Sequence, residues 1–304
     1  MLTDDKIIEI FCMADDFCKL FSQEIKKHQL FPNDSKKHRN RSHEMSDSEI
    51  MTVLLLFHFG TFKNFKHYYI HYIGIHLKKE FPKQLSYNRF IAIEHGVFVP
   101  MIFFLNMVCL GKCTGITFID STKIAVCHNK RIKRNKVFKG LAKIGKSTMG
   151  WFYGFKLHLL CNDKGELLSF CLTAGNVDDR DSQTLKVLTK DLFGKLFGDK
   201  GYISSSLFEM LFNDGVHLVT GIRNNMKNRL MSLYDKIMLR KRSVIETIND
   251  QLKNICEVEH SRHRAVHNFL MNLISALAAY CFFDKKPAIQ FDMAQPTGQL
   301  ILFE

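Results

Sequence analysis

The chain has no paired cysteines. Its nine cysteines are scattered without a Cys-x-x-Cys spacing, so neither a zinc framework nor a disulfide scaffold is written into it. Cys109 and Cys113, at helical i,i+4 spacing, come closest and lack two further ligands. Free core thiols in a reducing compartment are the expectation. The start, MLTDDKIIEIF, carries acids where a secretory signal is basic. No long apolar run is unbroken: 97–110 is too short to span a bilayer, and 265–283 is interrupted by His267, Asn268, Asn272 and Ser275. Both read as buried helices. No Gly-x-Ser-x-Gly sequence surrounds Ser121 or Thr122, which argues against a serine nucleophile. Repeats and low-complexity tracts are missing too. Acids are in short supply, 30 against 43 Lys and Arg, a net charge of +13. That imbalance favours a polyanionic partner, nucleic acid ahead of an anionic membrane.

What is present fills a core: 46% of the 304 residues are hydrophobic. Ile7, Ile10, Ala14, Phe17, Phe21 and Ile25 recur at helical spacing over 3–27. The stretch 32–42 is polar and basic, a loop or linker. Ser46 to Glu49 is a capping box before an apolar run at 50–59. Helical segments continue to about Leu110. The pattern then changes. Residues 115–126 are rich in β-branched side chains and read as a buried strand; 151–161 and 166–173 read as two more, joined by a turn at 162–165. A helix at 181–192, a strand at 195–198, a helix at 204–212, a strand at 216–220 and a helix at 243–258 follow. The expectation is an α/β mixed sheet flanked by helices, with a mostly α-helical N-terminal region.

Three acids stand out by position. Asp120 interrupts an apolar strand, and Asp199 directly follows a short one. A carboxylate there is costly unless it is paired or faces a site. Two at neighbouring strand ends can share a cation, and Mg²⁺ takes oxygen ligands. Glu246 lies on the last of these helices, where Ile245, Ile248, Leu252 and Ile255 form an apolar stripe beside Arg242, Glu246, Asn249 and Lys253. Alone, that second stripe reads as a solvated face with an Arg242–Glu246 ion pair.

The segments FIDST at 118–122, GDKGY at 198–202 and RSVIETINDQLK at 242–253 resemble bacterial insertion-sequence transposases of the DDE type. The Arg-x3-Glu-x6-Lys spacing matches Arg242, Glu246 and Lys253. Leu239 stands where many members of the wider group have Tyr. LTAGNVDDRD at 172–181 is also similar to that family's stretch between the first two acids. The resemblance covers roughly 115–280 and implies a ribonuclease-H-like catalytic core. It implies that Asp120, Asp199 and Glu246 are catalytic and hold two Mg²⁺ ions, with Mn²⁺ as a substitute. It further implies cleavage of transposon ends, with the freed 3′-hydroxyls attacking target DNA in line. Lys200 and Lys253 would hold phosphates. The partners would be double-stranded DNA, at element ends and target, and a second protomer on that DNA, with no membrane. The setting would be the nucleoid of a bacterial cytoplasm.

Residues 130–146 contain eight basic residues and no acid. Lys130, Arg131, Lys133, Arg134 and Lys136 lead the run, which reads as a loop tracking a DNA backbone; 223–229 and 240–242 extend it. Base reading falls to the N-terminal third, with candidate helices at 50–59 and at 86–94, the latter carrying Asn88 and Arg89. A helical bundle for dimerisation has the same period. His67, His71 and His76, beside Tyr68, Tyr69 and Tyr72, read as boundary histidines rather than a metal site. His260, His263 and His267 read as a surface or a DNA contact. Asp178, Asp179 and Asp181 compete as ligands, though Asp181 as a helix cap is simpler. The expected division is 1–112 as a helical, DNA-end-binding region, 113–284 as the catalytic domain and 285–304 as a tail. The alternatives are a metal-dependent nuclease of the same fold and a catalytically silent DNA-binding descendant.

Overall fold

The β-branched run at 116–127 forms a long strand, β1 (Ile116–Cys127), on which the rest of the sheet is assembled. The structure is a computed structural model and describes residues 2–28, 44–60, 62–148, 150–227, 230–259 and 263–289. The basic stretch at 32–42, Arg229, His260 and most of the expected tail lie outside the described residues.

One strand goes beyond the sequence expectation. β2 (Lys143–Ser147) pairs antiparallel with the start of β3 (Gly150–Asn162), Lys146 opposite Trp151. The basic run at 130–146 is therefore a 3-10 turn over Asn129–Arg134 followed by a sheet-edge strand, not a single loop.

The other strands follow the expected pattern: β3 itself, β4 (Leu167–Ala174), β5 (Gly194–Gly198) and β6 (Val216–Thr220). β3 runs antiparallel to β1, with Asp120 opposite Leu159, and β4 antiparallel to β3. β5 pairs parallel with β1, and β6 parallel with β5. Three antiparallel strands followed by two parallel to the first make the ribonuclease-H-like mixed sheet. The β3–β4 turn is tight because Gly165 takes φ +74° and the Asn162 Oδ1 accepts from the backbone N–H groups of Lys164 and Glu166.

Helices cover both sheet faces. Odd-numbered β1 residues such as Ile119 join Leu160 and Leu196 against α6 (Ser182–Leu188) and α7 (Ser205–Asn213) through Leu185, Leu188, Leu207 and Leu211. α6 stops at Leu188 rather than running on to 192, and a turn leads from it into β5. Even-numbered residues, Phe118 and Ile124, join Leu157, Leu159 and Phe197 against α9 (Ser243–Asn254) and α10 (Val266–Cys281). Before α9 runs α8 (Leu233–Lys241).

This second core continues without a break into the N-terminal helices. They are α1 (Asp4–His28), α2 (Asp47–Leu56), α3 (Phe65–His67, extended by a π-helical stretch Tyr68–His76), α4 (Tyr87–Ile93) and α5 (Phe98–Phe104). The Ser46–Glu49 capping box starts α2 as its sequence dictates. Every α2 residue from Ser48 through Leu56 except Glu49 is buried, which leaves only the acids Asp47 and Glu49 of that helix open to solvent. Asn88 and Arg89 on α4 are exposed. His58 is buried between the Cys256 carbonyl, 2.8 Å from Nδ1, and Ser275 Oγ, 3.1 Å from Nε2. It ties the N-terminal helices to the segment just past α9 and to the middle of α10.

The run at 97–110 is not an isolated short segment. It is the second half of a continuous helical stretch, Tyr87–Cys109, of 23 residues. By length and composition this stretch can cross a membrane, and a third of its most apolar window is buried here. The helix ends at Cys109, so Cys113 lies outside it, its thiol facing the Phe193 carbonyl. All nine cysteines are free.

Candidate active site and nucleic-acid surface

Sheet register sets the two strand acids. β1 and β5 are paired only over Ile116–Phe118 and Lys195–Phe197, with Phe118 opposite Phe197. Asp120 and Asp199 each lie two residues beyond that last pair. They are therefore level, where two parallel strands about 4.8 Å apart end their pairing. The Phe118 and Phe197 rings, 5.6 Å apart and fully buried, pin this end of the ladder. Asp199 starts a 3-10 turn, and its Oδ1 accepts from Gly201 N–H at 2.8 Å.

α9 brings the third acid. Ile245, Ile248 and Leu252 are completely buried against the sheet. The neighbouring stripe then faces β1. Asn249 donates its amide to Asp120 Oδ2 at 2.9 Å, and the Arg242 guanidinium stands 3.7 Å from Asp120 Oδ1. The same guanidinium holds Glu246 at 2.5 Å, the i,i+4 pair that the spacing suggests. Arg242 thus bridges Asp120 and Glu246. Asn249 is the site residue whose role the sequence does not disclose; its position in the stripe is the only sign.

The electrostatics tie the three acids together. Burial lifts the Asp120 carboxyl from its ordinary value to about 6; Arg242 opposes the rise, while Asp199 and Glu246 add to it by like-charge repulsion. Asn249 Oδ1 is buried and accepts no hydrogen bond among the described residues. A desolvated carboxylate pressed by two others, beside an orphaned acceptor, suits a hydrated divalent cation. Among the described residues no three His, Cys, Asp or Glu side chains already form a metal cage.

Lys200 is exposed beside Asp199, and its carbonyl accepts from Arg223 at 3.1 Å. Lys253 is mostly buried, 3.8 Å from Glu259, and burial lowers its pKa. Lys130, Arg131, Lys133, Arg134 and Lys136 line the turn after β1, all of them exposed, and none pairs with an acid among the described residues. They sit past the end of β1, about 23 Å along an extended strand from Asp120.

The acidic cluster at 178–181 is used internally. Asp178 is clasped by Arg180, which holds its carboxyl far below the usual range. Asp181 caps α6 by accepting from Thr184 N–H at 2.9 Å. Asp179 accepts from Ser121 Oγ at 2.8 Å and from Lys156 Nζ at 3.1 Å. That brace fastens the loop to the strand residue next to Asp120. Sequence spacing gives no hint of it, because Lys156 arrives from β3.

A family model described as a transposase DDE domain matches residues 110–266. A cryo-EM structure of the piggyBac transposase synaptic complex with hairpin DNA is similar at a TM-score of 0.48 and 12% identity, over 92% of this chain and 72% of that one. A crystal structure of the Mos1 strand transfer complex is similar at a TM-score of 0.24 and 10% identity, over 86% and 66%. No curated protein sequence matches.

Proposed function

Because this chain belongs to the transposase DDE-domain family, matched over more than half its length, we propose that it cleaves the ends of a mobile DNA element and joins their 3′-hydroxyls to target DNA by two-metal phosphoryl transfer. The observation that carries this reading is the level placement of Asp120 and Asp199 beyond the Phe118–Phe197 pair, with Glu246 brought to Asp120 through Arg242.

Asp120, Asp199 and Glu246 would hold the ions, Mg²⁺ or, in its place, Mn²⁺. Bound there, such ions lower the pKa of water or a 3′-hydroxyl and stabilise the leaving oxygen. The chain's own residues do the rest. Asn249 fixes the rotation of the Asp120 carboxylate through its amide and leaves Oδ1 to accept from a water. Arg242 balances Asp120 and Glu246, and would be free for a DNA phosphate with cations held at those acids. Lys200, exposed beside Asp199, and Lys253 neutralise phosphates near the reacting one. The basic residues at 130–136 neutralise a duplex backbone farther out.

The reading assigns 113–284 to catalysis, 1–112 to end binding, with Asn88 and Arg89 on the exposed face of α4 as base readers, and 285–304 to a tail. Two ends must be paired for joining, which calls for a homodimer on double-stranded DNA. Incubation with end DNA and Mg²⁺ should give 3′-hydroxyl cleavage by the parent protein and none by Asp199→Asn, with equal DNA retention in a mobility-shift assay. Cleavage by Asp199→Asn removes Asp199 from the site. A pre-cut end that is never joined to a second duplex reduces the activity to that of a nuclease.

A further inference from the structure

The β2–β3 hairpin has features that the catalytic reading leaves unused. Trp151, the chain's single tryptophan, is 63% exposed. Lys146, its cross-strand partner, holds Nζ 5.8 Å from the centre of its ring. Ile144 and Leu141 are half exposed nearby. Asn129, at the start of the basic 3-10 turn, donates to the Trp151 carbonyl at 2.8 Å, which brings Lys130, Arg131, Lys133 and Arg134 beside the hairpin. From 121 through 162 there are ten Lys and Arg and no acid. Lysines on an edge strand also guard against strand pairing, yet that role does not call for an exposed indole between them.

The sheet places this hairpin relative to the acids. Asp120 pairs with Leu159 on β3, and Trp151 is eight residues earlier on the same strand. An even separation puts both on one face of the sheet, about 26 Å apart. At about 3.4 Å per base pair, that is roughly eight base pairs along a duplex.

We propose that the β2–β3 hairpin is a DNA contact in which Trp151 stacks on an exposed base or deoxyribose about eight base pairs from the scissile phosphate, with Lys146 and the 130–136 residues neutralising the adjacent backbone. The occupant is DNA rather than a protein or a lipid surface because the charge is one-sided over 42 residues and an aromatic ring is interleaved with it. Stacking on a base tolerates any sequence, so the hairpin adds affinity and register without sequence choice. The distance of about eight base pairs rests on the proposed catalytic reading; the contact itself does not.

The single tryptophan makes the test direct. Wild-type protein in chelator, where no DNA is cut, is titrated with a duplex of roughly 30 base pairs while indole emission is followed. Quenching that tracks binding in a mobility-shift assay is expected, with Trp151→Ala binding about tenfold more weakly and Trp151→Phe restoring most of the loss. DNA that binds without changing the emission overturns the proposal, as does Trp151→Ala binding with parental affinity. Quenching by phosphatidylserine vesicles but not by DNA also overturns it. Photocrosslinking from 5-iodouracil placed along an end duplex should peak at Trp151 about eight base pairs from the cut. Quenching with no cleavage would sink the catalytic reading and leave the hairpin contact standing. Cleavage with a silent indole would do the reverse.

Discussion

Replacing Asp120 with Asn should stabilise the metal-free protein, and by an amount that depends on pH. The Asp120 carboxyl is 22% exposed, and burial raises it from 3.8 to about 6 in the fold. The folded state therefore binds this proton more tightly than the unfolded chain does. Below about pH 3 both states are protonated and the residue is neutral to stability. As pH rises from 4 to 6 the unfolded chain releases its proton first, so stability falls across that window. At pH 8 the full difference between the two states costs roughly 3 kcal/mol. The amide of Asp120→Asn carries no charge, yet its oxygen still accepts from Asn249, so the hydrogen bond survives while the desolvated charge is gone. Urea unfolding in chelator should show Asp120→Asn nearly level with the parent at about pH 3.5, ahead by about 1.5 kcal/mol at pH 5 and by about 3 kcal/mol at pH 8. Millimolar Mn²⁺ at pH 8 should stabilise the parent and not the variant. A variant that is less stable than the parent at pH 8, or a difference that stays flat from pH 4 to 8, refutes the claim that a desolvated charge sits at position 120.

Two further outcomes follow from the geometry. Lys133→Ala with Arg134→Ala should leave folding intact, because both side chains are exposed, and should flatten the plot of log affinity against log salt by about 2, since each lost phosphate contact removes about 0.9; an unchanged slope on nonspecific duplex removes those residues from the DNA path. Phe197→Ala, at a fully buried ring packed against Phe118, should cost about 3–5 kcal/mol in denaturant unfolding; a loss under about 1 kcal/mol would mean that this end of the β1–β5 ladder is not pinned by the two rings.

The sheet is readable because most of its strands announce themselves. β1, β3 and β4 are long, β-branched or alternating, and bounded by turn residues, and their edges fall within a residue or two of the expected ones. β2 does not, because Lys-Ile-Gly-Lys-Ser carries too little apolar pattern to register as a strand; only pairing with β3 makes it one. The 23-residue helical stretch reads as short in the sequence because Glu94, His95 and Gly96 interrupt its apolar run. Pro100 is the third residue of α5, in the first turn, where a missing N–H costs least, and a 3-10 turn over Glu94–Val97 carries the helix past Gly96. At the candidate site the local part is legible and the tertiary part is not. The Arg242–Glu246 pair follows from i,i+4 spacing on one helix. The Asn249–Asp120 hydrogen bond spans 129 residues and the Lys156–Asp179 brace joins two elements, so neither leaves a periodic trace.

The three acids differ in how their positions are held, and this bears on how the proposed chemistry would start. Asp120 and Asp199 are made level by backbone pairing at Phe118 and Phe197, which needs no cation. Glu246 comes on a helix whose buried face is fixed, but its side chain is 54% exposed and reaches the site through Arg242. Rotating one side chain at Arg242 releases Glu246, whereas Asp120 is held inside the β1–β3 pairing and Asp199 directly follows β5, its side chain tied to the Gly201 N–H. Under the proposed reading, then, two ligands are preset and the third is delivered. The guanidinium that stands between Asp120 and Glu246 would be available to a DNA phosphate if cations were held by those acids. In that reading Arg242 would couple metal binding to DNA engagement. Arg242→Gln should raise Mn²⁺ affinity in the absence of DNA, because a competing cation is gone, while weakening DNA binding in its presence. A variant in which metal affinity falls would show that Arg242 builds the site rather than guards it.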